Sequence, residues 1–154
     1  MARKMTVTKA QAQANRTHIV ETASTLFMER GFDGVGVGVA DLMAAAGFTH
    51  GGFYKHFGSK VDLMTESAAC GALQTEALLA DARIADVVNQ YPSREHRDAR
   101  GTGCTMAALG GDAARQPPAV RATFAESIDR LAAALRAGDA PMDGMAEEKA
   151  RAPS

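Results

Sequence analysis

The residues best suited to ligand chemistry lie between Asp41 and Asp62, in a stretch that contains no acid. A short helix is predicted over 50–57, in which Phe53 and Phe57, four residues apart, share one face. If both rings enter the core, the opposite face presents hydrogen-bond donors and a cation. These outward residues are Thr49, His50, Gly51, Tyr54 and Lys55. A face of this kind, without carboxylates, is suited to a polyanion.

Two adjacent glycines, Gly51 and Gly52, lie within this predicted helix. Each lowers helix stability by roughly 1 kcal/mol relative to alanine. One interpretation is that the backbone must come close to a ligand at this point. The alternative, which stays open, is that the glycines only loosen a turn.

The elements that position this face are predicted to be helices, because no proline precedes Pro92 and alanine is abundant. The apolar spacing and the glycine stops predict helices over 14–30, 39–46 and 50–57. Thr49 is a candidate cap for the third of these helices, and Ser59 for a fourth that ends between Gly71 and Asp86. Two short helices joined at Gly47 have the layout of a helix-turn-helix, whose second helix enters a DNA major groove.

The second half predicts helices over 82–90 and 104–115, a loop over 93–103, and a last helix opened by Pro117 and Pro118. The apolar stripe of the last helix is Val120, Phe124, Ile128, Leu131 and Leu135. No Leu, Ile, Val or Phe follows Leu135, so residues 138–154 are predicted to be a disordered tail.

Charge is divided unevenly along the chain. Residues 1–60 carry a net charge of +3, and residues 61–154 carry −4. The first part is therefore the one that can approach a polyanion, although such a balance is also common on an ordinary solvated face.

A family resemblance comes from the stretch ADLMAAAGFTHGGFYKHFGSKVDL and the preceding LFMERGFDGVG. Over about Ile19 to Leu63 they resemble the DNA-binding half of TetR-type (tetracycline-repressor-like) regulators. The resemblance implies that residues of this run contact phosphates or base edges: Thr49, His50, Tyr54 and His56. It also implies that Lys60 binds a phosphate beside the N-terminal amides of the fourth helix, where a helix favours anions.

The resemblance, together with the helical pattern, predicts an all-α chain in three parts. These are a three-helix helix-turn-helix DNA-binding domain over 1–60, a shortened helical ligand and dimerisation domain over 61–137, and the tail over 138–154. The expected function is that of a one-component transcriptional regulator, a repressor released by a small-molecule or electrophile effector. The expected partners are a double-stranded DNA operator, an unidentified effector and a second copy of the chain, with no cofactor and no membrane.

An alternative follows from the apolar helices that form the dimer interface in TetR-type proteins, which have no counterpart after Leu135. On this view the chain is a shortened regulator-like protein with impaired dimerisation. It would then act as a weak DNA-binding or interaction module.

Cys104 is the candidate for an effector or redox site. It is predicted at a helix start after Gly103, near Arg97 and Arg100 in sequence, a setting that favours a reactive thiolate. A small buried cysteine is the simpler alternative, and packing is the expected role of Cys70.

Other functional classes find little support in the sequence. The absence of HExxH, CxxC and GxSxG motifs argues against a metal site and against an enzyme. Two cysteines without a framework, no apolar signal region and no apolar run of about 18 residues predict a cytoplasmic protein.

Overall fold

The computed structural model describes residues 6–80 and 82–138, and within these ranges every regular element is a helix. The predicted all-α fold is confirmed. In chain order the elements are α1 (Lys9–Arg30), α2 (Val39–Ala45), a 3₁₀ helix (His50–Lys55), α3 (Lys60–Leu79), α4 (Ile84–Gln90), α5 (Arg94–Asp98), a 3₁₀ turn (Arg100–Thr102), α6 (Thr105–Ala113) and α7 (Pro118–Gly138).

Helix α1 begins earlier than the sequence pattern predicted, at Lys9 rather than at Ala14. The reason is a cap at Thr8, whose hydroxyl accepts a hydrogen bond from the Gln11 amide at 3.1 Å. Such a cap satisfies one of the amides that a helix start leaves free. The added residues, 9–13, are polar or alanine and mostly exposed, so the apolar periodicity could not reveal them.

The turn after α2 depends on glycine. Helix α2 ends at Ala45, and Gly47 follows with φ at +83°, a left-handed conformation that residues with a Cβ rarely adopt. The Phe48 amide then donates to the Met43 carbonyl at 2.8 Å and closes the turn. The chain is thereby redirected into the 3₁₀ helix.

The third predicted helix is a 3₁₀ helix that ends at Lys55, two residues before the predicted end at Phe57. Thr49 precedes it, but the Thr49 hydroxyl accepts no capping hydrogen bond, which corrects the predicted cap. The element is a short 3₁₀ helix because Gly51 and Gly52 weaken an α-helix at this point.

Helix α3 agrees with its prediction at both ends. The Ser59 hydroxyl accepts a hydrogen bond from the Asp62 amide at 3.2 Å, and the helix ends at Leu79. It packs against both α1 and α7, so it belongs to the core of both halves. The largest fully buried apolar side chains of this core are Phe27, Phe32, Phe53, Ile19, Leu42, Met43, Leu63 and Leu109.

Two predictions for the second half are wrong. The segment predicted as a loop over 93–103 contains α5 and the 3₁₀ turn, because the Ser93 hydroxyl caps α5 by accepting from the His96 amide at 3.1 Å. In α7, Ile128 is 53% exposed and Ser127 is buried instead. Residue 128 lies 100° around the helix from residue 127, outside the line that Val120, Phe124 and Leu131 define.

The predicted tail begins at Gly138, which is the last residue of α7. The rest of that prediction, residues 139–154, lies outside the described residues.

Candidate nucleic-acid interface

The outward face of the 3₁₀ helix has the predicted composition. Its five predicted residues, Thr49, His50, Gly51, Tyr54 and Lys55, are all exposed, and 69% of Tyr54 is accessible to solvent. On the opposite side Phe53 and Phe57 are buried, with their ring centroids 5.4 Å apart. The Tyr54 ring stands edge-on to Phe53, with 5.2 Å between centroids. A fixed apolar base therefore carries a row of exposed donors.

The other two predicted contact residues, His56 and Lys60, are only half-exposed. The Lys60 ammonium donates a hydrogen bond to the Phe32 carbonyl at 3.1 Å and lies 5.9 Å from the Phe27 ring centroid. An ammonium group has three N–H donors, so this bond leaves two for another acceptor. Lys60 thus has a structural partner that the sequence did not predict.

Gly51 differs from the glycine that forms the turn. A methyl group built at Gly51 would meet no heavy atom within 4 Å among the described residues, and its φ is not positive. At Gly52 the nearest atoms, Met43 Cε and Thr49 Oγ1, lie at ordinary contact distances of 3.6 and 3.7 Å. Neither turn geometry nor packing requires glycine at 51, so the interpretation of close approach by a ligand remains a prediction.

Arg16 holds the end of the 3₁₀ helix. Its two terminal nitrogens donate to both carboxylate oxygens of Glu66 on α3, and its Nε donates to the His56 carbonyl at 3.3 Å. The hydrogen bond with Glu66, more than their Coulombic attraction, raises the pKa of Arg16 despite partial burial. The guanidinium carbon lies 4.7 Å from the Phe57 ring centroid.

The linker between α1 and α2 is tied to the end of α6. The Asp112 carboxylate accepts from the Phe32 amide at 2.7 Å, and the buried Gln116 donates to the Asp33 carboxylate, also at 2.7 Å. Phe32 itself is fully buried and packs on Phe27 with 5.1 Å between ring centroids. The second half of the chain therefore contacts the linker that leads into the helix-turn-helix.

This segment matches a known family. Residues 19–66 match the model for bacterial regulatory proteins of the tetR family. This segment, which contains the two short helices and the turn at Gly47, is therefore similar to the tetR family, and we call it the tetR-family segment. The match begins inside α1 and ends inside α3, so it covers the turn at Gly47 and the whole 3₁₀ helix. The resemblance seen in the sequence is confirmed over this range.

A curated relative agrees with the tetR-family match. The chain is 42% identical over 66 residues to the HTH-type transcriptional regulator AcrR of Shigella flexneri. The aligned region is 43% of this chain and 28% of that protein. The chain therefore spans little more than a quarter of the curated relative that it matches.

Outside the tetR-family segment, a cavity of about 580 Å³ lies among α3, α4, α5 and α7 and reaches Cys104, directly before α6. Its apolar walls include Leu79, Val87 and Leu131, and a polar end is formed by Tyr91, His96 and Cys104. The ring centroids of Tyr91 and His96 are 4.4 Å apart. Tyr91 is 46% exposed, and its partial burial, followed by a hydrogen bond with the Cys104 thiol, raises its pKa to about 12.

Cys104 lies at the position that the sequence predicted, directly before α6, where it is the N-cap residue. On its other side it lines a second recess of about 460 Å³ together with Arg97 and Arg100. Both cysteines are free and half-buried. Burial, and then the negative charge of Glu21, raise the pKa of Cys70.

Sequence reasoning missed the residues that join distant parts of the chain. Arg16 and Glu66 are 50 positions apart, and Asp112 and Phe32 are 80 apart. Helical periodicity relates only residues three or four positions apart, so no local signal could reveal these contacts. The described helices include none with the length and apolar character needed to cross a bilayer.

Proposed function

We propose that this chain is a DNA-binding transcriptional regulator that represses from an operator and is released by a small-molecule or electrophile effector. The observation that carries the proposal is the exposed face of the 3₁₀ helix on its buried aromatic base, within the tetR-family segment. A helix-turn-helix presents its second helix to the major groove, and the donors on this face are the side chains that would reach it.

The residues of this face divide by role. Tyr54, Lys55 and His56 contact phosphates and set the register of the protein on DNA, whereas Thr49 and His50 reach base edges near the start of the 3₁₀ helix. Phosphate contacts position the protein without reading sequence, and base contacts supply specificity. The N–H donors of Lys60 that do not bind the Phe32 carbonyl supply one further phosphate contact.

DNA selection tests the DNA-binding part. Operators are selected from random duplexes with the purified chain, and the affinity of the best site is then measured at several salt concentrations. Lys55→Ala should weaken binding to all sequences and reduce the salt slope by about 0.9. Arg121→Ala, an exposed cation on α7, is the matched control. Selection that enriches no sequence, or equal losses in both variants, would contradict the proposal.

The cavity next to Cys104 is the proposed effector site. Its volume of about 580 Å³ falls within the range of roughly 300–1,000 Å³ that small-molecule sites occupy. Helix α6 begins directly after Cys104, which lies on the cavity wall, and it contains Asp112, which binds the linker before α2. A ligand that moves α6 would therefore act on the helix-turn-helix through this carboxylate.

Asp112→Asn tests this connection. The asparagine side chain cannot form the ion pair that the carboxylate forms with Arg115. It also accepts a weaker hydrogen bond from the backbone N–H of Phe32. We expect operator affinity close to that of the unmodified chain and a reduced loss of affinity when an electrophile such as N-ethylmaleimide is added. Full release in Asp112→Asn would contradict the connection. Cys104→Ser, which removes the thiol, should also suppress release.

The proposal includes a homodimer on DNA, because one helix-turn-helix reads a half-site and two copies about 34–36 Å apart read a symmetric operator. Sedimentation with and without the selected operator measures the stoichiometry. The alternative of a weakly dimerising module predicts one copy per site and a low, concentration-dependent affinity.

A further inference from the structure

The guanidinium of Arg16 connects three separate parts of the molecule. Its terminal nitrogens bind the Glu66 carboxylate on α3, its Nε binds the His56 carbonyl, and its face covers the Phe57 ring. The side chains of Arg16 and Glu66 are 31% and 36% exposed, so the pair lies at the edge of the core. A bidentate pair of this kind fixes the orientation of a guanidinium more strictly than a single contact does.

The contact at His56 is at a critical position. His56 directly follows the 3₁₀ helix, and it is the last residue before the buried Phe57. The 3₁₀ helix has six residues and contains two glycines, so its own hydrogen bonds hold it weakly. An external hydrogen bond at its end therefore limits the movement of the exposed side chains that it carries.

We propose that Arg16 is a positioning residue for DNA binding, which Glu66 holds in place so that its Nε fixes the end of the 3₁₀ helix bearing Tyr54 and Lys55. Arg16 acts through the backbone of His56 and does not itself contact DNA. This inference rests on the proposed function, because it assumes that the 3₁₀ helix is the segment that meets DNA.

A competing role is that Arg16 is itself a phosphate contact. The two roles predict opposite effects of Glu66→Gln. If Arg16 contacts DNA, removing the acid frees its charge and strengthens binding. If Arg16 is a positioning residue, the same change loosens the guanidinium and weakens binding. We expect a loss on the order of tenfold, the factor for one charge-assisted hydrogen bond.

The chain offers a matched control in Glu76→Gln. Glu76 also lies on α3 and pairs with an arginine, Arg130 of α7, at 2.8 Å, but it lies outside the tetR-family segment. Both variants remove one acid and one ion pair. Glu76→Gln should keep the operator affinity of the unmodified chain, and melting curves establish that each protein is folded at the temperature of the DNA measurement.

Two further measurements distinguish positioning from a general effect on stability. Hydrogen exchange without DNA should become faster at the amides of His56 and Phe57 in Glu66→Gln and remain unchanged in Glu76→Gln. Both amides donate to the Phe53 carbonyl at 3.0 Å, so their exchange reports on this end of the helix. In Arg16→Gln the affinity should fall while the salt slope stays constant, because no phosphate contact is lost.

Unchanged or tighter binding of the operator by Glu66→Gln would overturn the positioning role, as would a salt slope reduced by about 0.9 in Arg16→Gln. Unaltered exchange at residues 56 and 57 would also overturn it. Failure of the unmodified chain to bind any selected DNA would instead overturn the proposed function. Faster exchange in Glu66→Gln would in that case show only that Arg16 stabilises the end of the 3₁₀ helix. The two failures are therefore distinguishable.

Discussion

The 3₁₀ helix and the wall of the Cys104 cavity differ in what supports them. Beneath the 3₁₀ helix lie the buried side chains Met43, Phe53 and Phe57. Helices α4 and α5, which form part of the cavity wall, contain no buried residue. A surface on a packed base keeps one geometry, whereas thinly packed elements open at a lower free energy. The difference matches the proposed roles, rigid recognition of DNA by one region and adaptable binding of an effector by the other.

Helix α7, which lines part of the cavity, also contacts the linker that leads to α2 and the 3₁₀ helix. The fully buried Phe32 packs against Phe124 of α7, with 6.1 Å between ring centroids, and its amide binds Asp112. A conformational change at the cavity that moves α6 or α7 would therefore act on the firmly packed contact at Phe32, in the linker before α2. Packed contacts of this kind move between discrete arrangements more readily than they deform.

The largest expected difference between the regions is in core packing. Leu63→Ala removes a fully buried side chain of α3 from the core that includes Phe53 and Phe57, and should lower the free energy of unfolding by about 2–5 kcal/mol. Leu78→Ala, also on α3 but at the cavity, removes a side chain that is 74% exposed. Its effect should stay within about 0.5 kcal/mol. Urea unfolding measures both.

Equal losses in the two leucine variants would break the comparison. They would mean that the cavity wall is covered in solution and is as firmly packed as the helix-turn-helix.

The next effect concerns two glycines. Gly47→Ala forces a Cβ into a left-handed conformation at φ +83° and should lower stability by about 1–2 kcal/mol. Gly51→Ala meets open space and should raise stability by about 0.4–1 kcal/mol, because alanine restricts the unfolded chain. Thermal unfolding of both variants distinguishes a glycine that the fold requires from one that it does not.

DNA affinity then decides why residue 51 is a glycine. If the backbone approaches DNA closely, Gly51→Ala will bind the operator more weakly although the protein is more stable. Unchanged affinity would support the alternative that this glycine only loosens the turn.

A third prediction compares the two thiols. Cys104 should react with iodoacetamide faster than Cys70, because burial and Glu21 raise the pKa of Cys70 and reduce its thiolate fraction. Peptide mass spectrometry over a time course gives both rates in one sample. Cys70→Ser should leave the rate at Cys104 unchanged. Equal, slow labelling at both positions would return Cys104 to a packing role.

How much could be predicted from the sequence differs between the regions for a physical reason. In the helix-turn-helix the buried residues recur at helical spacing and the stops are glycines, so the outward face was predicted with its five residues correctly exposed. In that half, residues three or four positions apart share the buried face of a helix, and periodicity captures this spacing.

The second half depends on interactions that the pattern does not contain. Ile128 continues an apolar spacing, yet Ser127 lies on the line that faces α3, and a pattern of residue types cannot choose between adjacent positions. The hydrogen bond from Phe32 to Asp112 joins distant parts of the chain, and in the first half the pair of Arg16 and Glu66 does the same. Both interactions follow from the assembled fold and not from any local segment.

An effect confined to alkaline pH sharpens the comparison at the cavity itself. Burial and the Cys104 thiol raise the pKa of Tyr91 to about 12, from an ordinary value of 10.0, because both favour the protonated phenol. A group whose pKa is raised on folding adds stability below its unfolded pKa and loses that contribution as the pH rises through the folded value. Here the loss falls between pH 10.0 and about 12.

The Tyr54→Phe variant isolates this titration, because the chain has two tyrosines. Ultraviolet absorbance of the phenolate should then have a midpoint near 12, and the added Cys104→Ala change should lower the midpoint without restoring it to 10.0, because burial remains the larger cause. Since both causes depend on the closed cavity wall, a midpoint at 10.0 in the first variant would mean that α4 and α5 open freely. The contrast with the firmly packed 3₁₀ helix would then be greater than the structure indicates.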